Sequence, residues 1–150
     1  MPPGAFMYQR ILIATDGSEI TAKAAEQAVA LAQKLGAQMF AVTVTEPYPY
    51  SPLAETQPIS PQEHLDTELR VANTRLLDVQ RLAQAAGVHC EGSSVEGNLP
   101  WQAIVDHAQR VKADLIVMAS HGRRGVSALI LGSETQKVLT HSKIPVLVVR

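Results

Sequence analysis

The sequence predicts a doubly wound α/β fold, with a five-stranded parallel sheet in the order 3-2-1-4-5 and helices on both faces. Three observations carry this. Short β-rich apolar runs alternate with stretches of helical apolar spacing along the whole chain. The run 114–119, DLIVMA, is continuously apolar after Asp114, as a parallel strand covered on both faces requires. Each parallel connection needs a crossover, and right-handed crossovers place helices on both sides of the sheet. The strand order follows if the chain reverses direction once, after the third strand. A switch point then opens between strands 1 and 4, where ligands bind at the carboxyl ends.

The elements follow in order. Residues 9–15 (QRILIAT) form a strand that ends at Asp16, Gly17 and Ser18, residues suited to a turn and a helix cap. From Ser18 the apolar residues Ile20, Ala24, Ala28, Leu31, Ala32 and Leu35 recur at helical spacing, and Gly36 supplies a left-handed end. Residues 39–45 (MFAVTVT) form strand 2. Residues 46–59 carry Pro47, Pro49, Pro52 and Pro58 and read as a long loop. Ser60, Pro61 and Glu63 then set up a capping box that opens a helix, and Gly87 ends it. Residues 88–95 (VHCEGSSV) are assigned to strand 3 mainly because the alternation of elements demands it, since Gly92 and two serines interrupt the run. A helix over 99–111, strand 4 over 114–119 with a place at the sheet centre, a glycine-bearing loop over 120–131, a helix over 132–141 and strand 5 over 144–149 complete the chain.

The 150 residues are 46% hydrophobic and 18% charged, which suits one domain with one core. The net charge of −1 argues against nucleic acid as a main partner, because a phosphate backbone is met by a strongly basic face. The arginines at 123 and 124, with Lys137, Lys143 and Arg150, leave room for a small anion site. A lone cysteine, Cys90, can form neither an intrachain disulfide nor a cysteine zinc site and reads as an inert thiol. The opening MPPGAFMYQR lacks signal-peptide character, and no apolar run nears the roughly 18 residues of a membrane helix, so the expectation is a soluble cytoplasmic protein.

The stretch 118–135, MASHGRRGVSALILGSET, places Gly122, Gly125, Gly132 and Ser133 after a buried strand and at the entry of a helix. A helix N-terminus presents unpaired N–H groups and partial positive charge, and glycine lets main chain approach an anion closely. The hydroxyls of Ser133 and Thr135 can add hydrogen bonds. This outlines a phosphate cradle. It is neither a Walker A loop nor the dinucleotide fingerprint, and glycine-loop logic alone leaves turn-forming glycines equally open.

Four segments, ILIATDGSE, VKADLIVMASHGRRG, LILGS and KIPVLVVR, resemble the matching segments of universal stress proteins in the same order and at family-like spacing. The nucleotide-binding branch of that family carries G-x2-G-x9-G-[ST]. Here Gly122, the nine residues after it and Gly132-Ser133 fit, while the leading glycine falls on Ala119. The resemblance implies an adenine nucleotide alpha hydrolase-like fold that binds ATP, ADP or AMP, with Mg2+ as a potential companion. It implies that Asp16 contacts ribose or adenine, with Ala14 and Thr15 beside it at the end of strand 1. The backbone of Val44 would touch adenine, Met118 and Ala119 would flank the ribose, and Gly122, Gly132, Ser133 and Thr135 would hold phosphates. Arg123 and Arg124 would pair with terminal phosphate oxygens. His121 would have a structural or phosphate-facing role, and Glu134 is the candidate for a magnesium contact. Asp16 has a second reading, as a cap of the first helix beside Ser18.

No catalytic residue and no metal site is assigned. The scattered His64, His89, His107 and His141 show no ligand spacing. Three readings stay open: a nucleotide-binding regulatory or stress-response protein, a slow ATPase or phosphotransferase using the same pocket, and a non-nucleotide interaction module. A strand over 144–149 that is apolar on both faces would be an open sheet edge, and the resemblance implies a homodimer formed through it. Neither nucleic acid nor membrane is expected as a partner.

Overall fold

A computed structural model describes residues 7–50, 59–122 and 130–150 of the chain. Five parallel strands form one sheet in the order β3-β2-β1-β4-β5, as the alternation of elements predicts. The strands are β1 (Arg10–Ala14), β2 (Gln38–Thr45), β3 (Cys90–Glu96), β4 (Leu115–Ala119) and β5 (Val146–Val149). The helices between them are α1 (Glu19–Leu35), α2 (Pro61–Ala85), α3 (Pro100–Arg110) and α4 (Ser133–His141).

Strand alternation sends side chains to two separate cores. Ile11, Ile13, Met39, Ala41, Leu115 and Val117 pack against the alanine-rich face of α1 and against Leu76, Val79 and Ala83 of α2. Leu12, Phe40, Val42, Ile116 and Met118 pack against Ile104, Val105 and Ala108 of α3 and Val138 of α4. Ile11, Leu12 and Ile13 of the central strand are fully buried, each contributing roughly 1.5–3 kcal/mol by removal from water. The sheet centre is β1; β4 lies beside it and is buried along its whole length.

The helix ends follow the local chemistry. Ser18 caps α1 and Gly36 closes it in the left-handed region at φ 66°. At α2 the predicted capping box forms, with the Ser60 hydroxyl accepting from the Glu63 N–H at 3.2 Å and the Glu63 carboxylate accepting from the Ser60 N–H at 3.4 Å. Strand 5 is shorter than expected, because Ile144 and Pro145 lead into β5 without belonging to it. Among the described residues no helix is long and apolar enough to cross a membrane.

Candidate functional site

The carboxyl ends of β1 and β4, neighbours in the sheet centre, bring the candidate residues together. β1 ends at Ala14, and the Thr15 N–H still follows β2 by donating to the Val42 carbonyl at 2.9 Å. The chain then turns sharply at Gly17, which has φ 80°. Asp16 accepts through Oδ1 from the Ser18 N–H at 2.9 Å and from the Thr21 hydroxyl at 3.1 Å. The helix-capping reading of Asp16 is therefore correct for one of its oxygens. The other oxygen faces Gly122: a Cβ built on Gly122 would stand 2.6 Å from Asp16 Oδ2. Position 122 is glycine because the Asp16 carboxylate fills the space a side chain would take.

On the β4 side, Ser120 is buried and its N–H donates to the Val149 carbonyl at 2.7 Å. Its carbonyl accepts from the Gly132 N–H, also at 2.7 Å, and its hydroxyl lies 3.2 Å from His121 Nδ1. A Cβ on Gly132 would stand 3.0 Å from His121 Cα and 3.1 Å from the Ser120 carbonyl oxygen. Gly132 thus allows main chain to lie on main chain. The start of α4 is drawn against the Ser120–Gly122 strand exit, and Gly122 in turn touches Asp16. The N-cap residue of α4 is Gly132, which makes no side-chain cap bond. The first turn of α4 brings the partial positive charge of a helix N-terminus to this corner.

Several expectations are corrected in their atoms. The Gly132 amide, expected to face phosphate, donates to the Ser120 carbonyl. The Thr135 hydroxyl, also expected at phosphate, is buried and donates to the Ala119 carbonyl at 2.8 Å, tying α4 to the end of β4. Glu134, the candidate magnesium contact, accepts from the Trp101 N–H at 2.7 Å and lies 3.8 Å from the Lys137 ammonium. Its carboxylate is held between α4 and α3. The Thr15 hydroxyl is buried against Thr21 at 3.3 Å and accepts the Gly17 N–H at 3.2 Å.

Ala119 occupies the place of a motif glycine. It is the last residue of β4, pairs in register with Val149 and packs in the apolar cluster on the α1 and α2 side of the sheet. Its methyl group is accommodated by the core. Met118 and Ala14 belong to the cluster on the opposite face, and half-buried Val44 packs against it near the end of β2. Arg123, with Arg124 and Gly125, lies outside the described residues. Two open grooves of about 390 and 420 Å3 carry none of the candidate residues.

Sequence reasoning missed Arg75. This residue of α2 reaches the same end of the sheet, donating through Nη1 to the Thr43 hydroxyl at 3.3 Å. Its one signal was a charged residue set among the inward positions Ala72, Leu76 and Val79.

A parallel sheet with a carboxylate, a close-approach glycine and a helix N-terminus gathered between its central strands has the layout of α/β proteins that take ligands at a switch point. The chain belongs to the universal stress protein family, whose model matches residues 7–150. It is 34% identical over 149 residues to universal stress protein MJ0531 of Methanocaldococcus jannaschii, covering 98% of this chain and 85% of the relative. Among solved structures it is similar to the universal stress protein UspA from Lactobacillus plantarum, with a TM-score of 0.82, 28% identity and coverage of 95% and 98% of the two chains. A universal stress protein crystallised in complex with cAMP superposes with a TM-score of 0.71 at 28% identity, covering 96% of this chain and 98% of that one.

Proposed function

We propose that this universal stress protein binds an adenine nucleotide, ATP, ADP or AMP, between the carboxyl ends of β1 and β4 and that occupancy serves a regulatory role in the stress response. The observation that carries the reading is the Gly122 backbone lying on the Asp16 carboxylate beside the glycine-capped start of α4. An acceptor that can hold ribose hydroxyls and a set of main-chain donors that can hold phosphate then stand within one small corner. The cAMP complex of a relative supports a purine nucleotide as the ligand class. In this reading Asp16 takes the ribose or adenine, the Val44 backbone lies along adenine, and Met118 and Ala119 form the floor. Gly122 and the first turn of α4 at Ser133 receive the phosphates. Thr135, Glu134 and Gly132 hold the cradle in shape.

Binding is favoured over turnover because Glu134, the candidate magnesium contact, is engaged by Trp101 and Lys137. We also propose a homodimer paired through β5. The decisive experiment is titration calorimetry of ATP, AMP and GTP against the wild-type protein and Asp16→Asn, with mass spectrometry of small molecules released on denaturation. Saturable adenine-nucleotide binding that Asp16→Asn weakens at least tenfold is expected, since a charge-assisted acceptor is lost. Failure of the wild-type protein to bind any of them overturns the reading.

A further inference from the structure

We infer that Arg75 is a positioning residue for the nucleotide site proposed above, on which the inference rests: its side chain roofs the Asp16–Gly17 turn and fixes the direction of the Asp16 carboxylate. Three arginines lie on α2, and they differ. Arg70 and Arg81 are exposed, while Arg75 is half-buried on the helix side that carries Ala72, Leu76 and Val79. Drawing a guanidinium partly out of water costs free energy, and an apolar residue of similar length would pack there without that cost. The position of its atoms shows what the side chain does.

The stem of Arg75 occupies the side-chain space of Gly17. A Cβ on Gly17 would stand 3.1 Å from Arg75 Cγ, 3.3 Å from Nε and 3.6 Å from Cδ. Gly17 is held at φ 80°, a conformation that a side chain would strain. The guanidinium end is anchored on the sheet by Nη1 donating to the buried Thr43 hydroxyl at 3.3 Å. Arg75 is therefore fastened to β2 at its tip and lies across the turn with its methylenes. A turn with glycine at its bend has the freedom to open unless something covers it.

That turn sets the aim of Asp16. Oδ1 is bonded to the Ser18 N–H and the Thr21 hydroxyl, so Oδ2 points at Gly122 only while the Gly17 backbone keeps its course. The contact path runs from Arg75 to Gly17, then Asp16, then Gly122. Arg75 acts on the ligand through Asp16.

The test compares Arg75→Ala, which removes the roof, with Arg75→Met, which keeps an aliphatic stem without charge. ATP titration and amide hydrogen exchange are read on both, with circular dichroism to verify folding. Arg75→Ala should lower ATP affinity about tenfold, as a loosened supporting shell does, while Arg75→Met should stay within about threefold. Exchange at Gly17 to Thr21 should quicken in Arg75→Ala and stay near wild type in Arg75→Met. Unchanged exchange in Arg75→Ala overturns the inference whether or not ATP binds. Equal affinity loss in both variants that disappears with adenosine also overturns it, because Arg75 would then act as a charge on phosphate. Wild-type protein that binds no nucleotide sinks the parent reading alone, and the exchange comparison still decides the role of Arg75.

Discussion

Gly122 shows how little room separates the two halves of the candidate site. The missing Cβ would overlap Asp16 Oδ2 at 2.6 Å, so Gly122→Ala must push the carboxylate aside or move its own loop. Because the displaced group is the proposed ribose acceptor, the substitution should cut ATP affinity by about tenfold or more, a loss of about 1.4 kcal/mol, as calorimetry would record. Fold stability should change far less, since Gly122 lies past the end of β4 in a part-exposed position. A second residue-scale prediction concerns His107. Burial first, and the nearby Arg110 second, hold its imidazole below the usual 6.5, and its Nδ1 has no hydrogen-bond partner among the described residues. The unfolded chain takes up the proton before the folded one does, so the stability contributed by keeping this ring neutral is present above 6.5 and is lost as pH falls below it. Urea midpoints measured at pH 7.5 and 5.5 should differ more in the wild-type protein than in His107→Phe. At this scale the places of Asp16 past β1, Gly122 past β4 and Ser133 at the start of α4 are legible in the sequence because each sits within a local strand-turn-helix pattern. Arg75 was not, because its partners Gly17 and Thr43 are brought to it only by the sheet.

Between elements, a single carboxylate serves two helices. α3 begins after Leu99, which has no side-chain acceptor, and Pro100 supplies no N–H. Glu134 from the first turn of α4 accepts the Trp101 N–H at 2.7 Å and so supplies the missing cap from 33 residues away. First-turn acid is a local signal that the sequence displays, but the helix it caps is set by packing. Glu134→Gln keeps an acceptor without the charge and should cost about 1 kcal/mol of stability, read from thermal unfolding. Trp101 is the one tryptophan of the chain and stacks on His141 with ring centroids 4.2 Å apart. Its emission should therefore shift in Glu134→Gln; an unchanged spectrum and melting point would show that the cap contributes nothing. The weakest element in the sequence has a similar explanation. Gly92 interrupts the apolar pattern of β3, and a Cβ there would meet the Gln80 amide at 3.1 Å and Leu76 Cβ at 3.3 Å. The glycine lets α2 lie close on the strand, so a residue that reads as a breaker along the chain is a packing requirement across it.

At the scale of the molecule the two sheet edges differ in chemistry. β3 presents Glu91, two serines and Glu96, charged and hydroxyl groups that discourage pairing, together with Cys90. Burial pushes the Cys90 thiol up to about 11, with Glu91 adding to the rise and a backbone hydrogen bond from Ala41 opposing it. Its thiolate fraction near neutral pH should be roughly 100-fold below that of a free thiol, so alkylation should be correspondingly slow. β5 is the opposite case. It is a short, wholly apolar strand, Val146–Val149, with Leu147 39% exposed at the outer edge of the sheet. That edge is the proposed dimer seam. Leu147→Lys places a charge on it without disturbing the core, and light scattering should then report monomers; a persistent dimer would assign the seam elsewhere. The same strand also reaches the site, because the Val149 carbonyl accepts the Ser120 N–H from which the Gly122 and Gly132 contacts depart. Fixing β5 against a second copy should therefore stiffen that strand exit. The Leu147→Lys monomer is expected to bind ATP a few-fold more weakly than the dimer, by loss of preorganisation in the cradle while every ligand-contacting residue stays in place. Equal affinity in monomer and dimer would show that assembly and nucleotide binding are independent properties of the fold.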